Sequence, residues 1–562
     1  MLVLLTFMSG CQSEPGPAKP DVSQDSPDSI QFQNATESWK LDASYWNGRE
    51  GGLYGIVESL GGGVGIIDID RDDWPDVVLP GGGKLSKDSD PVISGLSPSC
   101  WRSRQGTTLQ NINDVCGINF ANYYSHGTAV GDVNNDGFQD ILITGFGGVD
   151  LWINAGDGTF ELQAGQAAAN DASWSSSAGW GDLDGDGTLD LYLAHYVDWS
   201  PANNPVCPSP SPEHEQDVCA PRRFNGLDDA VFRNNGAGAF VDQTKAWGLE
   251  PQGKGLGVLM ADLDHDNDLD VYVANDTTNN FVYLNQGQGE LRETGLLSGG
   301  AVDAEGKPNG SMGLDYFDFD HDQSGDIWVT NFEQESCALY KNVGSGNFLH
   351  VSRNTGIAAL SGLYVSFGTV ARDFDGDGDP DIVVANGHVI YYPNKAPFAQ
   401  QSLVLQNENG EKYSRVPMAE DSYFSQPHVS RGLAASDLNR DGRVDVIVTQ
   451  LNGPAQILVN ETRHQGRSLR IELRGTQCNR DAIGARVVLH LPNGDRTSYI
   501  VGGGSYLSSS ELCCEFFVPT DLEKVRATIY WPGGKTQEVS GLCDVPSWTV
   551  VEGLEAPFAG AR

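Results

Sequence analysis

Seven short stretches of the chain set oxygen donors at alternate positions and close on an aspartate. "DIDRDDWPD" carries Asp68, Asp70, Asp72 and Asp76, and "DVNNDGFQD" carries Asp132, Asn134, Asp136 and Asp140. "DLDGDGTLD" carries Asp182, Asp184, Asp186 and Asp190, and "DLDHDNDLD" carries Asp262, Asp264, Asp266 and Asp270. "DFDHDQSGD" carries Asp318, Asp320, Asp322 and Asp326, and "DFDGDGDPD" carries Asp373, Asp375, Asp377 and Asp381. The last, "DLNRDGRVD", carries Asp437, Asn439, Asp441 and Asp445. The donors stand at positions 1, 3, 5 and 9, with a backbone carbonyl expected at position 7. All are hard oxygens, which select Ca²⁺, or less well Mg²⁺, over zinc or copper. Up to seven Ca²⁺ sites are expected. Asp/Gly clusters also occur in ordinary turns, but seven copies at one place in a repeat argue against a turn alone.

Position 6 is glycine in four copies and Asp73, Asn267 or Gln323 in the others. A tight bend is expected there, with Gln323 the least comfortable occupant and the fifth site the weakest. The helical calcium loop has its last acid at position 12. Here the last acid sits at 9 and a β-rich run follows, such as "LYLAHY" or "IVVANG", so the loop joins two strands.

The motifs recur about 50 to 80 residues apart, a spacing that suits propeller blades of four short strands. A second marker lies between them: "NAGDGTF", "NNGAGAF" and "NVGSGNF", with weaker copies "NQGQGEL" and "NENGEKY". Its Asn and Gly are read as supplying the positive φ of a hairpin. "WRSRQGTTL" from Trp101 is a worn first copy. The opening segment, Ile30 to Leu41, resembles the strand that follows each hairpin, and the last repeat stops at "ILVN" without that strand. A ring closed by the N-terminal strand explains both ends and removes an open sheet edge. The fold class is therefore all-β: a seven-bladed β-propeller with calcium-binding loops, plus a small C-terminal β domain. No long helical apolar period is present, and 69 glycines and 27 prolines favour turns.

The acidic repeats resemble the FG-GAP or VCBS class of integrin-α-type propellers. That resemblance implies structural calcium and no catalysis. After about Arg467 the acidic loops stop. "NRDAIGARVVL", "GGGSYLSSSE" and "ATIYWPGGKTQEV" resemble the ASPIC/UnbV domain of the cartilage acidic protein family and its bacterial relatives. Arg480, Asp481 and the Gly502–Ser505 turn are candidates for a recognition surface or for a capped structural turn.

The N-terminus "MLVLLTFMSGCQ" resembles a bacterial lipoprotein signal, with lipidation at Cys11; Gln12 then favours the outer membrane. Expected domains are the signal at 1–11, a Pro/Ser-rich tether at 12–29, the propeller at 30–465 and the β domain at 466–562. Of ten cysteines, Cys207 with Cys219 and Cys100 with Cys116 are the disulfide candidates. Cys478 is expected to meet Cys513 or Cys514, with Cys543 taking the other and Cys337 left free.

A net charge of −41 disfavours nucleic acid and favours cations. No metalloprotease, serine-hydrolase or P-loop signature occurs, and "GGGVG" from Gly61 opens onto an acidic strand–loop rather than a helix. The expected role is an exported, lipid-anchored, non-catalytic binding or adhesion module for an extracellular protein or glycan. The alternative is a carbohydrate-active or other enzyme in the central channel. His388, Tyr391, Asp421 and His428 gathered in one pocket would favour the enzyme, and scattered placement the binder. Loops 195–225, 299–312, 387–400 and 420–431 are expected to line the binding surface.

Overall fold

The computed structural model describes residues 29–86, 92–163, 171–236, 239–464, 466–542 and 545–560. The signal, nearly all of the tether, Cys11 and Cys543 lie outside the described residues. Among the described residues seven antiparallel sheets follow one another, six of four strands and one, sheet 4, in which a short strand from the C-terminal part adds a fifth. Their innermost strands are Gly65–Ile67, Tyr124–Gly131, Ser175–Gly181, Gly255–Ala261, Leu314–Phe317, Ser366–Arg372 and Ser430–Ser436, which number the sheets 1 to 7. Each innermost strand packs against the next, and the first packs against the seventh, so the sheets close into a propeller-like ring. Every innermost strand and every second strand is almost wholly buried, which is why these runs lack the alternation of a half-exposed sheet. Among the described residues no helix is long and apolar enough to cross a membrane.

Sheet 7 takes its outer strand from the other end of the chain. Phe32–Asn34 pairs antiparallel with Leu458–Asn460. Ile30, Trp39 and Leu41, which flank the strand, are buried between sheets. Burying each contributes about 1.5–3 kcal/mol. Deleting residues 30–41 is therefore expected to lower the melting temperature by about 5 °C or more in a thermal scan. An unchanged melting point would show that the ring does not depend on this strand.

The C-terminal module holds two further sheets. One orders Cys514–Val518, Arg467–Arg474, Ser547–Val551 and Phe558–Ala559, with its middle pair parallel. The other orders Arg496–Tyr499, Arg486–His490, Arg526–Tyr530 and Thr536–Ser540. Its core is not separate from the ring: Ile471, Val487, Ile529 and Trp531 share one apolar cluster with Trp180, Leu189 and Leu269.

One excursion of the module, Gly502 to Glu511, runs down the axis of the ring. The free edge of each innermost strand faces that axis with unpaired backbone groups. Gly502 and Gly503 pair with Met260 and Leu259 of sheet 4. Ser505 exchanges backbone bonds with Leu314 of sheet 5, and its hydroxyl accepts from Thr369 N and donates to the Leu433 carbonyl. Leu507 O accepts from Thr128 N of sheet 2, and Ser509 bonds both Val64 and Ile66 beside and in sheet 1. Tyr506 is fully buried against Phe367, with its hydroxyl on the Leu60 carbonyl. Two glycines make the approach possible. A Cβ on Gly502 would stand 1.9 Å from the Trp180 carbonyl oxygen, and one on Gly63 would stand 1.6 Å from that of Leu507. The turn read as a candidate recognition surface is thus held in the axis, with Gly502 and Ser505 buried and Gly503 and Gly504 half-buried, because it completes edges that would otherwise stay unpaired.

Cys207 and Cys219 are joined, with an S–S distance of 2.03 Å. Cys100 and Cys116 are not joined. Both are buried. Cys478, Cys513 and Cys514 are likewise unbonded, and Cys337 is free and buried.

Candidate metal centres

The seven acidic motifs form loops 1 to 7, each joining an innermost strand to the second strand of its sheet. Position 9 is the first residue of that second strand: Asp76, Asp140, Asp190, Asp270, Asp326, Asp381 and Asp445, all fully buried. Its carboxylate holds the sheet together. In loop 3, Asp190 accepts from Leu183 N at 2.9 Å and from Asn234 N, at the end of the third strand, at 2.9 Å. The same two bonds recur in every loop, with Ser103 N replacing an asparagine in sheet 1.

Position 1 closes the loop. Asp182 accepts from Asp186 N and Gly187 N, and its counterparts in loops 1, 2, 4, 5 and 7 bond in the same way, whereas Asp373 of loop 6 accepts from Gly376 N and Gly378 N. Position 6 has positive φ in all seven loops, including Asp73, Asn267 and Gln323. Position 4 does too: Arg71, Asn135, Gly185, His265, His321, Gly376 and Arg440 are left-handed. This second bend was not evident from the sequence, because position 4 is glycine in only two copies.

In five loops the carboxylates at positions 1, 3 and 9 offer oxygens within 4.8 Å of one another: Asp68, Asp70 and Asp76; Asp182, Asp184 and Asp190; Asp262, Asp264 and Asp270; Asp318, Asp320 and Asp326; Asp373, Asp375 and Asp381. Oxygens around one Ca²⁺ at 2.3–2.6 Å lie about this far apart. Position 5 stands outside these groups. Asp72, Asp136, Asp186, Asp266, Asp322, Asp377 and Asp441 each accept from the backbone N–H two residues on. In loops 2 and 7, Asn134 and Asn439 stand at position 3 and donate to Asp136 and Asp441.

Burial pushes these carboxyls upward. Asp68, Asp182, Asp262, Asp318 and Asp437 rise to about 6, and Asp132 to about 7. Asp76, Asp140 and Asp190 rise to about 8, and Asp270, Asp326, Asp381 and Asp445 go well above the usual range. Neighbouring carboxylates add to the shift. Asp70 and Asp320 each keep one buried oxygen with no hydrogen-bond partner. Clustered, desolvated carboxylates with spare lone pairs fit a hard divalent cation, whose charge would offset both costs.

The hairpin asparagines do something the sequence reading missed. The asparagine that opens each hairpin has no positive φ; the left-handed positions are the glycines that follow, for example Gly156 and Gly158, together with Gln288, Ser345 and Asn409. The asparagine side chains instead tie neighbouring sheets. Asn154, Asn234, Asn285, Asn342, Asn407 and Asn460 donate to the position-2 carbonyl of the preceding loop. The signal available was their spacing, one in each of sheets 2 to 7, two or three residues before a glycine or, for Asn460, two before Thr462.

The C-terminal module caps the loops. Asp132 N donates to Asp481 Oδ2, and Arg480 N donates to Asn135 Oδ1 in loop 2. Arg486 and Tyr499 donate to the Gln323 carbonyl in loop 5. Glu511 accepts from Arg440 of loop 7, from Arg470 of the module and from Ser436 Oγ. Arg480 and Asp481 thus face the loops, as part of the contact between ring and module.

The four candidates for a channel active site each keep separate partners. Tyr391 bonds Glu58 and Asn47. His428 stacks on Tyr423, His388 faces Glu333 at 3.8 Å, and Asp421 is exposed. Burial lowers both histidines, His388 to about 4.

FG-GAP-like repeats match residues 132–193, 217–273, 262–329, 318–384 and 373–448, and the ASPIC and UnbV family matches residues 475–554. Cartilage acidic protein 1 of Mus musculus is 25% identical over 311 residues, which is 55% of this chain and 46% of that protein. Its Homo sapiens counterpart is 29% identical over 170 residues, 29% of this chain and 25% of that protein. The chain spans less than half the length of the curated relatives it matches. Among solved structures, an Agrocybe aegerita lectin that recognises non-reducing terminal N-acetylglucosamine aligns over 68% of this chain and 94% of that chain, with TM-score 0.37 and 16% identity. YCF48 bound to D1 peptide aligns over 70% of this chain and 97% of that chain, with TM-score 0.38 and 10% identity. With its repeats matched over more than half its length and an ASPIC and UnbV module behind them, the chain belongs to the FG-GAP-like repeat family.

Proposed function

We propose that the chain is an exported, lipid-anchored, seven-bladed calcium-binding β-propeller that acts as a non-catalytic surface binding module for an extracellular protein or glycan. The observation that carries this reading is the filled axis. Residues Gly502 to Glu511 occupy the channel in which a propeller enzyme would work. The loops on the acidic face are capped by the module, so the opposite face is the one left for a partner. There, loops 195–225 and 387–400 are tied through Asp217, which accepts from Tyr391 N and Tyr392 N, and loop 387–400 pairs with 420–431 through Gln400 and His428. A knit loop surface on a rigid ring suits recognition.

The donors at positions 1, 3 and 9 would hold Ca²⁺. A bound ion supplies positive charge and cross-links an innermost strand to its neighbour. Cys11 would carry the lipid anchor. A screen of the full chain against glycans and extracellular matrix proteins, with and without chelator, tests the function. Binding that is lost on substituting loop 387–400, with the melting point unchanged, supports the module. Turnover of a glycan substrate would replace it with an enzyme.

A further inference from the structure

The residue just before each hairpin asparagine, or before Ser103 in sheet 1, is the arm of its sheet; its chemistry differs between sheets, and in four of them it reaches across to its own acidic loop. Arg102 lies 3.4 Å from Asp70 in loop 1. Arg233 pairs with Asp184 and, at 2.9 Å, with Asp186 in loop 3. Lys341 pairs with Asp320 and, at 3.1 Å, with Asp322 in loop 5. These three loops carry their own cation. Loops 2 and 7 lower their charge in another way, with Asn134 and Asn439 at position 3 and apolar Ile153 and Val459 at the arm; loop 7 also sets its own Arg443 against Asp441 at position 5.

Loops 4 and 6 have neither device. The arm of loop 4 is Leu284, and that of loop 6 is the neutral Gln406, whose amide donates to Asp375 at 2.6 Å. Both loops also add an acid at position 7, Asp268 and Asp379, which makes five carboxylates in nine residues. A guanidinium or ammonium on the position-3 carboxylate occupies a donor that the metal needs and repels the metal directly.

We propose that the arm residue grades the metal loops. Arg102, Arg233 and Lys341 are internal counter-ions that compete with Ca²⁺ in loops 1, 3 and 5, and loops 4 and 6 are the tight sites. This rests on the reading of the loops as Ca²⁺ sites. Flow dialysis of the full chain with radioactive Ca²⁺ counts ions by affinity class. The wild type is expected to bind two ions tightly and the others at least about tenfold more weakly. Lys341→Met and Arg233→Met should each add one tight ion, since both side chains are partly exposed and removable without harm to the core. Leu284→Lys should remove one, with circular dichroism confirming the fold. Seven equivalent ions, or a tight count that ignores the arm substitutions, would overturn the grading and leave the calcium sites standing. An absence of bound Ca²⁺ would overturn both.

Discussion

Adding Ca²⁺ to the chelated protein at pH 8 raises its melting temperature by about 5 °C or more, and the rise shrinks at pH 5. Each site filled to a hundred times its dissociation constant stabilises the fold by about 2.7 kcal/mol. Two filled sites therefore give about 5 kcal/mol, or roughly 5 °C in a ring and module of this size. The pH dependence follows from the buried carboxyls. Their folded values are raised, to about 6 for Asp182 and about 8 for Asp76, Asp140 and Asp190, above an unfolded value of about 3.9. A raised carboxyl contributes proton-linked stability that is complete below about pH 4 and is lost as pH rises through 6 to 8. The chelated protein thus weakens over that range. Ca²⁺ binds the ionised form, so its rescue is largest at the alkaline end. Differential scanning calorimetry at three pH values, with and without chelator, is the measurement. A Ca²⁺ effect that is absent, or that is larger at pH 5 than at pH 8, would refute the account.

Replacing Glu511 by alanine is expected to cost about 3–5 kcal/mol in urea unfolding. Its carboxylate is held far below the usual range by Arg440 and Arg470, and all three groups are largely buried. Alanine leaves two desolvated guanidiniums facing each other at the junction of the axis segment, loop 7 and the module. Glu511→Gln keeps the shape and loses the charge, so an intermediate cost is expected. Here the pH sign is reversed. A depressed carboxyl contributes stability that is present above about pH 4.3 and lost as pH falls. Wild type should therefore lose more stability than Glu511→Gln between pH 5 and pH 3. A cost below about 1 kcal/mol for alanine would mean that the junction is not a structural bolt.

The clustering of carboxylates at positions 1, 3 and 9 was legible from the sequence because it is local. Nine residues contain the donors, the position-6 bend and the start of the next strand, and repetition made the pattern stand out. The strand supplied by Phe32–Asn34 was legible for a different reason: a segment missing at one place in the repeat appeared at another. The axis segment was not legible. "GGGSYLSSSE" reads as a glycine-rich turn, and its partners are single backbone groups scattered from Leu60 to Ala435. No periodicity records such contacts. Nor does local sequence show that position 5 turns inward to cap its own loop, or that Asn234 reaches the Val133 carbonyl of the sheet before it.

The strand at Phe32–Asn34 has a consequence for timing. Its partner lies more than 400 residues later in the chain; the side chains of Asn34 and Gln456 meet across a separation of 422. A nascent chain stopped before Ser430 carries that strand with nothing to pair with, and the segment that fills the axis has not been made. Sheets 1 to 6 can form one by one during synthesis, but the ring cannot. Closure waits for a nearly complete chain, which makes it a slow, long-range step. Until then the apolar faces of Ile30 and Trp39 are open to wrong partners, and this interval is where a chaperone would be needed.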